Sequence, residues 1–215
     1  MTRLAVFDCD GTLVDSQANI CRAMEVAFDR AALPPPPRAA IRRIVGLSLV
    51  EAVAALLPDA DDATHRALAL DYKHVFRQLR TDGGLEDEPL FDGIGEVLQT
   101  LAARGWVLGV ATGKSDRGLA HVLDVHGLSG RFATLQTADR HPSKPDPAML
   151  LAAMRDTGAT ETAMIGDTSF DMAMARAAAA RAVGVAWGYH TVADLAAGGA
   201  DVVADRVAML PELLA

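Results

Sequence analysis

The sequence predicts an α/β fold in which a parallel sheet covered by helices is interrupted, after its first strand, by an all-helical domain. Three observations predict it. The short apolar run Leu4–Phe7 ends in Asp8-Cys9-Asp10-Gly11, as a buried strand opening into a loop does. From Pro89 onward, apolar runs of strand length alternate with helical periodicity, the rhythm of right-handed crossovers in a parallel sheet. Between these regions lies a stretch with helical periodicity and no strand pattern. The expected division is therefore residues 1–15 and 87–215 for the α/β core, and 16–86 for the helical insertion.

The elements follow in order. Ile20, Met24, Val26-Ala27 and Leu33 recur at helical spacing, predicting a helix from Ser16 to about Ala32 with Ser16 as its cap. Pro34–Pro37 break it. Residues Ile41–Ser48 then lead into a second, apolar helix over Leu49–Leu57, capped by Ser48, and a third helix spans Asp61–Arg80. The acidic, glycine-containing stretch Asp82–Pro89 reads as a linker. Beyond it the expected order is helix Ile94–Ala103, strand Trp106–Ala111, helix Gly118–Val125, strand Phe132–Gln136 and helix Pro147–Asp156. Strand Ala163–Ile165, helix Met172–Ala180, strand Ala182–Ala186, a short helix near Ala193–Ala197, strand Asp201–Ala204 and a last helix to Leu214 complete the chain.

The 215 residues, 51% of them hydrophobic, can bury a sizeable core. A net charge of -8 argues against a sequence-independent hold on nucleic acid or an anionic membrane surface, both of which need basic patches. Cys9 and Cys21 are too few for a disulfide framework and suit a reducing compartment. The start Met1-Thr2-Arg3 runs straight into the first strand without a signal-type apolar region, so a cytoplasmic protein is expected, as a monomer or homodimer. No Gly-x-Gly-x-x-Gly follows a predicted strand, which argues against a nucleotide-binding redox protein.

Four polar stretches fall at predicted strand ends or in the loops beyond them. Residues two apart on extended chain point the same way, so Asp8 and Asp10 can face one pocket, where their repulsion calls for a cation or a shifted pKa. An Asp-Gly turn with solvated acids is the plain alternative. Thr112-Gly113-Lys114-Ser115 offers a hydroxyl and a close-approaching backbone at a helix start, which suits an oxyanion; Ser115 acting only as a cap is the competing reading. Lys144, between Pro142 and Pro145, is a cation that a stiff loop can aim; a solvated surface charge is the plain alternative. Gly166-Asp167-Thr168-Ser169-Phe170-Asp171 ends a strand in acid and returns an acid four residues later. Acids in a first helical turn explain Asp171 well and Asp167 less well. Hard cations such as Mg²⁺ take carboxylate and carbonyl oxygens, so Asp8 and Asp167 as direct ligands supported by Asp171 make a suitable site.

In this order the four stretches resemble the motifs of the haloacid dehalogenase-like phosphohydrolase superfamily, whose core is a Rossmann-like sheet. The insertion resembles the small helical cap of its phosphoglycolate phosphatase-like branch. The resemblance implies a phosphatase that hydrolyses a small organic phosphate monoester, with 2-phosphoglycolate as a candidate. It implies that Asp8 attacks phosphorus and that Asp10 serves as acid and then base. It also implies Mg²⁺ on Asp8, Asp167 and the backbone carbonyl of Asp10, with Asp171 in support, and the phosphate held by Thr112, Gly113 and Lys144.

Haloacid dehalogenases lack the second aspartate, so Asp10 favours phosphate chemistry. β-Phosphoglucomutases carry a cap histidine near Ile20 and an arginine where Leu49 stands here. A mutase or a pyrophosphatase is the alternative within the family. Outside it stand a phosphoacceptor signalling module, whose motif order differs, and a non-catalytic binding protein. Specificity is expected in the insertion, near Arg42, Arg43, Gly46 and Ser48, with one arginine reading a second anion on the substrate; two exposed arginines on a solvated helix face are the competing reading.

Overall fold

The computed structural model describes residues 1–215. Six strands, β1 (Arg3–Phe7), β2 (Trp106–Thr112), β3 (Thr134–Thr137), β4 (Glu161–Gly166), β5 (Arg181–Val185) and β6 (Val202–Ala204), form one sheet. Its order is β3-β2-β1-β4-β5-β6, and every neighbouring pair is parallel. Here β1 lies between β2 and β4, where the connections diverge to opposite sides. The carboxyl end of β1 therefore opens into the crevice where such sheets bind ligands.

Alternation along β1 builds both faces of the core. Ala5 and Phe7 join a cluster with Ile94, Leu98, Leu101 and Leu119, whereas Leu4 and Val6 face Met149, Leu150, Met172 and Leu195. All four of these β1 side chains are fully buried, so truncating Phe7 to Ala would cost about 3–5 kcal/mol. The first cluster is closed by α5 (Ile94–Ala103), α6 (Asp116–Val125) and α10 (Leu210–Leu213), and the second by α7 (Ala148–Thr157), α8 (Ser169–Ala177) and α9 (Val192–Ala197).

Four helices, α1 (Gln17–Arg30), α2 (Arg38–Ile44), α3 (Leu49–Leu56) and α4 (Asp62–Thr81), form the cap around a separate cluster that includes Met24, Phe28, Ile41, Val53 and Leu68. The chain leaves and rejoins the sheet through adjacent segments. Asp15 N donates to the Pro89 carbonyl (2.9 Å), Phe91 N to the Leu13 carbonyl (3.0 Å), and Asn19 Nδ2 to the Glu86 carbonyl (2.9 Å). No helix is long and apolar enough to cross a membrane.

Several local expectations are corrected. The helix α2 was expected only as a lead-in to α3; Pro37, with its fixed φ, ends the proline run and starts a helix that buries Ile41. Ser16 and Ser48 make no side-chain cap bond, because the hydroxyl of Ser16 is drawn into the site and that of Ser48 is buried without a partner. The helix α8 starts at Ser169, earlier than expected, because Thr168 and Asp171 form a reciprocal capping box. The strand β3 starts at Thr134 because Phe132 packs into the core before the ladder with Gly109 begins. The final helix is split into a 3-10 turn at Val207–Met209 and α10.

Candidate active site

The backbone of Asp8 still belongs to the sheet, its N–H donating to the Ile165 carbonyl (2.9 Å), but from Cys9 the chain turns. The N–H groups of Leu13 and Val14 both return to the Cys9 carbonyl, at 2.9 and 3.1 Å. The two aspartates therefore diverge instead of pointing together. Asp8 turns inward to Lys144, with Nζ 2.9 Å from its Oδ1, while Asp10 faces the cleft and pairs with Lys114 at 2.7 Å. The hydroxyl of Ser16 also donates to Asp10.

Asp8, Asp167 and Asp171 each bring a carboxylate oxygen to within 4.8 Å of the others, and all three residues are fully buried. Asp167 ends β4 and is held by the Thr12 hydroxyl (2.8 Å) and the Tyr189 N–H (2.9 Å). Asp171 accepts from the N–H and hydroxyl of Thr168 through one oxygen, and from Lys144 through the other at 2.6 Å. A single residue thus caps α8 and anchors the buried lysine.

Charge is unbalanced here. Burial, reinforced by Asp171 and Asp10 and opposed by Lys144, pushes the Asp8 carboxyl up to about 7. Burial first, then Asp8 and Asp171, raises Asp167 well above the carboxylate range. Burial works against the Lys144 ammonium, yet Asp171 and then Asp8 outweigh it and raise its pKa. One ammonium cannot balance three carboxylates, and Asp8 Oδ2 is buried without any donor. An all-oxygen set that lacks positive charge fits a hard divalent cation. Asp10, expected to contribute only its backbone carbonyl, has its carboxylate outside this cluster.

Thr112 ends β2, fully buried, and its Oγ1 accepts from the Lys114 N–H at 3.2 Å. Ser115 caps α6 by accepting from Gly118 N at 3.1 Å. Gly113 meets the cap loop so closely that a Cβ there would lie 2.5 Å from the Leu47 carbonyl oxygen. On the other side of that loop, Ser48 N donates to the Ser143 hydroxyl at 2.8 Å. Cap and core thus enclose a cleft of about 620 Å³ that reaches down to Asp10 and Lys114.

Residues 5–185 match the family model for haloacid dehalogenase-like hydrolases. The chain belongs to that family. It is 38% identical, over 95% of its length and 90% of the relative's, to a probable phosphatase, IndB, of Dickeya dadantii. It is 34% identical to a phosphoglycolate phosphatase of Rhodospirillum rubrum, over 100% of this chain and 91% of that one. A crystal structure of a haloacid dehalogenase-like hydrolase from Bacteroides fragilis shares the fold with a TM-score of 0.88 at 24% identity, covering 98% of this chain and 100% of the other. This haloacid dehalogenase-like protein is a phosphatase of the phosphoglycolate phosphatase-like type.

In this phosphatase Asp8, Asp10, Thr112, Gly113, Lys144, Asp167 and Asp171 gather around the end of β1, as the strand-end reading expected. Arg42 and Arg43 are placed elsewhere and do not line the cleft. Arg43 is exposed and reaches Asp194 of α9 at 3.2 Å, while its carbonyl contacts His190 Nε2 at 3.1 Å. The helix α2 buries Ile41 and brings Ile44 to the cleft, leaving Arg42 and Arg43 off its lining. Partners of the acids that were not anticipated include Lys114, Ser16, Tyr189 and the Thr12 hydroxyl. Lys114 directly follows the Thr112-Gly113 pair, which was its available signal. Tyr189 had a weaker one in Gly188, just past β5, where a Cβ would overlap the Asp167 carboxylate.

Proposed function

We propose that this phosphatase is Mg²⁺-dependent and hydrolyses a small organic phosphate monoester through a phosphorylated Asp8. The observation that carries the proposal is the division of labour between two aspartates two residues apart. Asp8 presents an oxygen with no donor inside a cation-seeking cluster, and Asp10 waits on Lys114 at the floor of the cleft.

Asp8 as carboxylate attacks phosphorus while the bond from phosphorus to the leaving oxygen breaks, and Asp10, entering the step in its protonated form, gives its proton to that departing oxygen. Asp10 then takes a proton from the water that cleaves the acyl phosphate, which returns both carboxyls to their starting state. Lys144, Thr112 and the Gly113 N–H hold the phosphoryl oxygens, where fixed donors in a dry site are worth most. Lys114 and Ser16 keep Asp10 aimed into the cleft. Asp8, Asp167 and the Asp10 carbonyl would hold Mg²⁺, with Asp171 in support, and the ion would supply charge neutralisation between an anionic nucleophile and an anionic phosphate. Residues 16–86 act as the cap that closes over the leaving group, and phosphoglycolate is the first ester to test, since it is named for several relatives.

A panel of phosphate esters assayed with Mg²⁺, followed by rapid acid quench with radiolabelled phosphate ester, tests this reading. Mg²⁺-dependent release of phosphate and a transient, base-labile phosphoprotein absent from Asp8→Asn are expected. Turnover without any phosphoprotein on Asp8 would refute the covalent route.

A further inference from the structure

Resting on that reading, we propose that the true substrate is larger than phosphoglycolate: an ester whose leaving group has an extended apolar body and a second anionic group, which docks on a cationic stripe of α4. Arg66, Leu70, Lys73, Arg77 and Arg80 follow one another at alternating spacings of four and three, so they share one face of α4, and all five line the cleft. From the core, Arg117 at the start of α6 lines it too.

These cations are unpaired. None of Arg66, Lys73, Arg77, Arg80 and Arg117 has an acid within ion-pair distance; other arginines on the surface, such as Arg22 and Arg155, are unpaired too, but these five converge on one cleft. In a chain of net charge -8, concentrating unmatched cations on one wall runs against the composition. It also costs stability, because Lys73 and Arg77 are like charges at i and i+4. Of the acids on the lining, Asp10 is already taken by Lys114, leaving Glu51 and Asp139 against this stripe. An anionic ligand is what such a wall complements.

The cleft also has room for more than a two-carbon acid. A volume of about 620 Å³ falls within the range that encloses drug-sized ligands. Below the cationic rim the walls are apolar, with Ile20, Met24, Val50, Tyr72 and Phe76 among them. Tyr72 and Phe76 pack with ring centroids 5.8 Å apart, and the Arg80 guanidinium lies 5.2 Å over the Phe76 ring. Such a wall suits a flat or extended body between a reacting phosphate on the Asp10 and Lys114 floor of the cleft and a distal anion at its mouth.

The test uses the Mg²⁺-loaded full chain and matched probes. One pair is a nucleoside monophosphate and the bisphosphate of the same nucleoside; a second is naphthyl phosphate with and without a ring carboxylate. We expect kcat/KM to favour the doubly anionic member of at least one pair by roughly 10-fold, the pair showing whether the distal group is phosphate or carboxylate. That ratio should fall toward one in Lys73→Gln/Arg77→Gln, whose altered side chains are exposed and whose helix keeps its buried face. It should also fall as salt is raised. A ratio near one in the wild type, a ratio that survives the double substitution, or phosphoglycolate as the best substrate of the set would overturn the proposal. Failure of the wild type to hydrolyse even p-nitrophenyl phosphate would instead refute the monoester phosphatase reading on which it rests.

Discussion

Lys144 Nζ lies 2.9 Å from Asp8 Oδ1, and neither side chain reaches water. The same ammonium is 2.6 Å from Asp171, so one cation holds two buried acids that would otherwise repel. Lys144→Met should leave both uncompensated and cost about 3–5 kcal/mol at neutral pH. Thermal denaturation should show Tm lowered by roughly 10 °C, and by less near pH 5, where the acids can take up protons. A variant as stable as the wild type at pH 8 would mean that another group neutralises these acids.

The two aspartates of the first loop should fail differently. Asp8→Asn should abolish turnover, since an amide cannot form the acyl phosphate. Asp10→Asn should slow turnover by roughly 100- to 10,000-fold, the usual worth of a positioned acid–base group. Quench-flow separates them: phosphoprotein should be absent in the first and should persist in the second if hydrolysis is the more impaired step.

Metal and pH should be linked through Asp8 and Asp167. Burial raises Asp8 from its ordinary 3.8 to about 7 and raises Asp167 in the same direction. A carboxyl whose folded pKa lies above its unfolded value contributes stability that is complete below the unfolded pKa and lost as pH rises through the folded one. The metal-free protein should therefore lose stability between about pH 4 and pH 7. Mg²⁺ should restore it, by about 2.7 kcal/mol at a hundredfold excess over its Kd, and should raise Tm more at pH 8 than at pH 5. Scanning calorimetry with Mg²⁺ and with EDTA measures this, and an equal Mg²⁺ effect at both pH values would contradict it.

Two glycines should behave as parts of the site. A Cβ at Gly188 would overlap Asp167, so Gly188→Ala should displace that carboxylate, raise the Mg²⁺ requirement and cut kcat/KM by roughly 100-fold. Gly113→Ala should instead push against the Leu47 carbonyl and hold the cap loop off the core, raising KM with little change in Mg²⁺ requirement. Mg²⁺ titrations of the two variants should tell them apart.

The cap arginines that looked most promising in the sequence should prove peripheral. Arg43 is exposed and its pair with Asp194 faces solvent, so Arg43→Ala should cost no more than about 1 kcal/mol. Neither Arg43→Ala nor Arg42→Ala should change the preference between singly and doubly anionic substrates, as kcat/KM ratios on the matched pairs will show.

The order of elements was legible because it rests on local chemistry. The run Leu4–Phe7 alternates between two buried faces, Pro34–Pro37 exclude a continuous helix, and the Gly-Asp-Thr turn caps the helix that follows it. Where expectations slipped, competition between partners was the cause. Ser16 has the right chemistry and position for a cap, but in the fold a carboxylate of Asp10 competes for its hydroxyl and wins.

The same distinction divides the site. Sequence by itself determined which side chains stand at the carboxyl ends of β1, β2 and β4 and in the loop after β3, because strand length and turn chemistry are local, and so it singled out Asp8, Asp10, Thr112, Lys144, Asp167 and Asp171 as candidates. Only the tertiary structure decided that Asp8 turns to Lys144 while Asp10 turns to Lys114, because those partners lie more than a hundred residues away along the chain. It also decided which cap cations face the leaving group. Helical spacing puts Arg66, Lys73 and Arg77 on one stripe, but the packing of α4 against α1 and α3 is what turns that stripe, and not Arg42 and Arg43 on α2, toward the cleft.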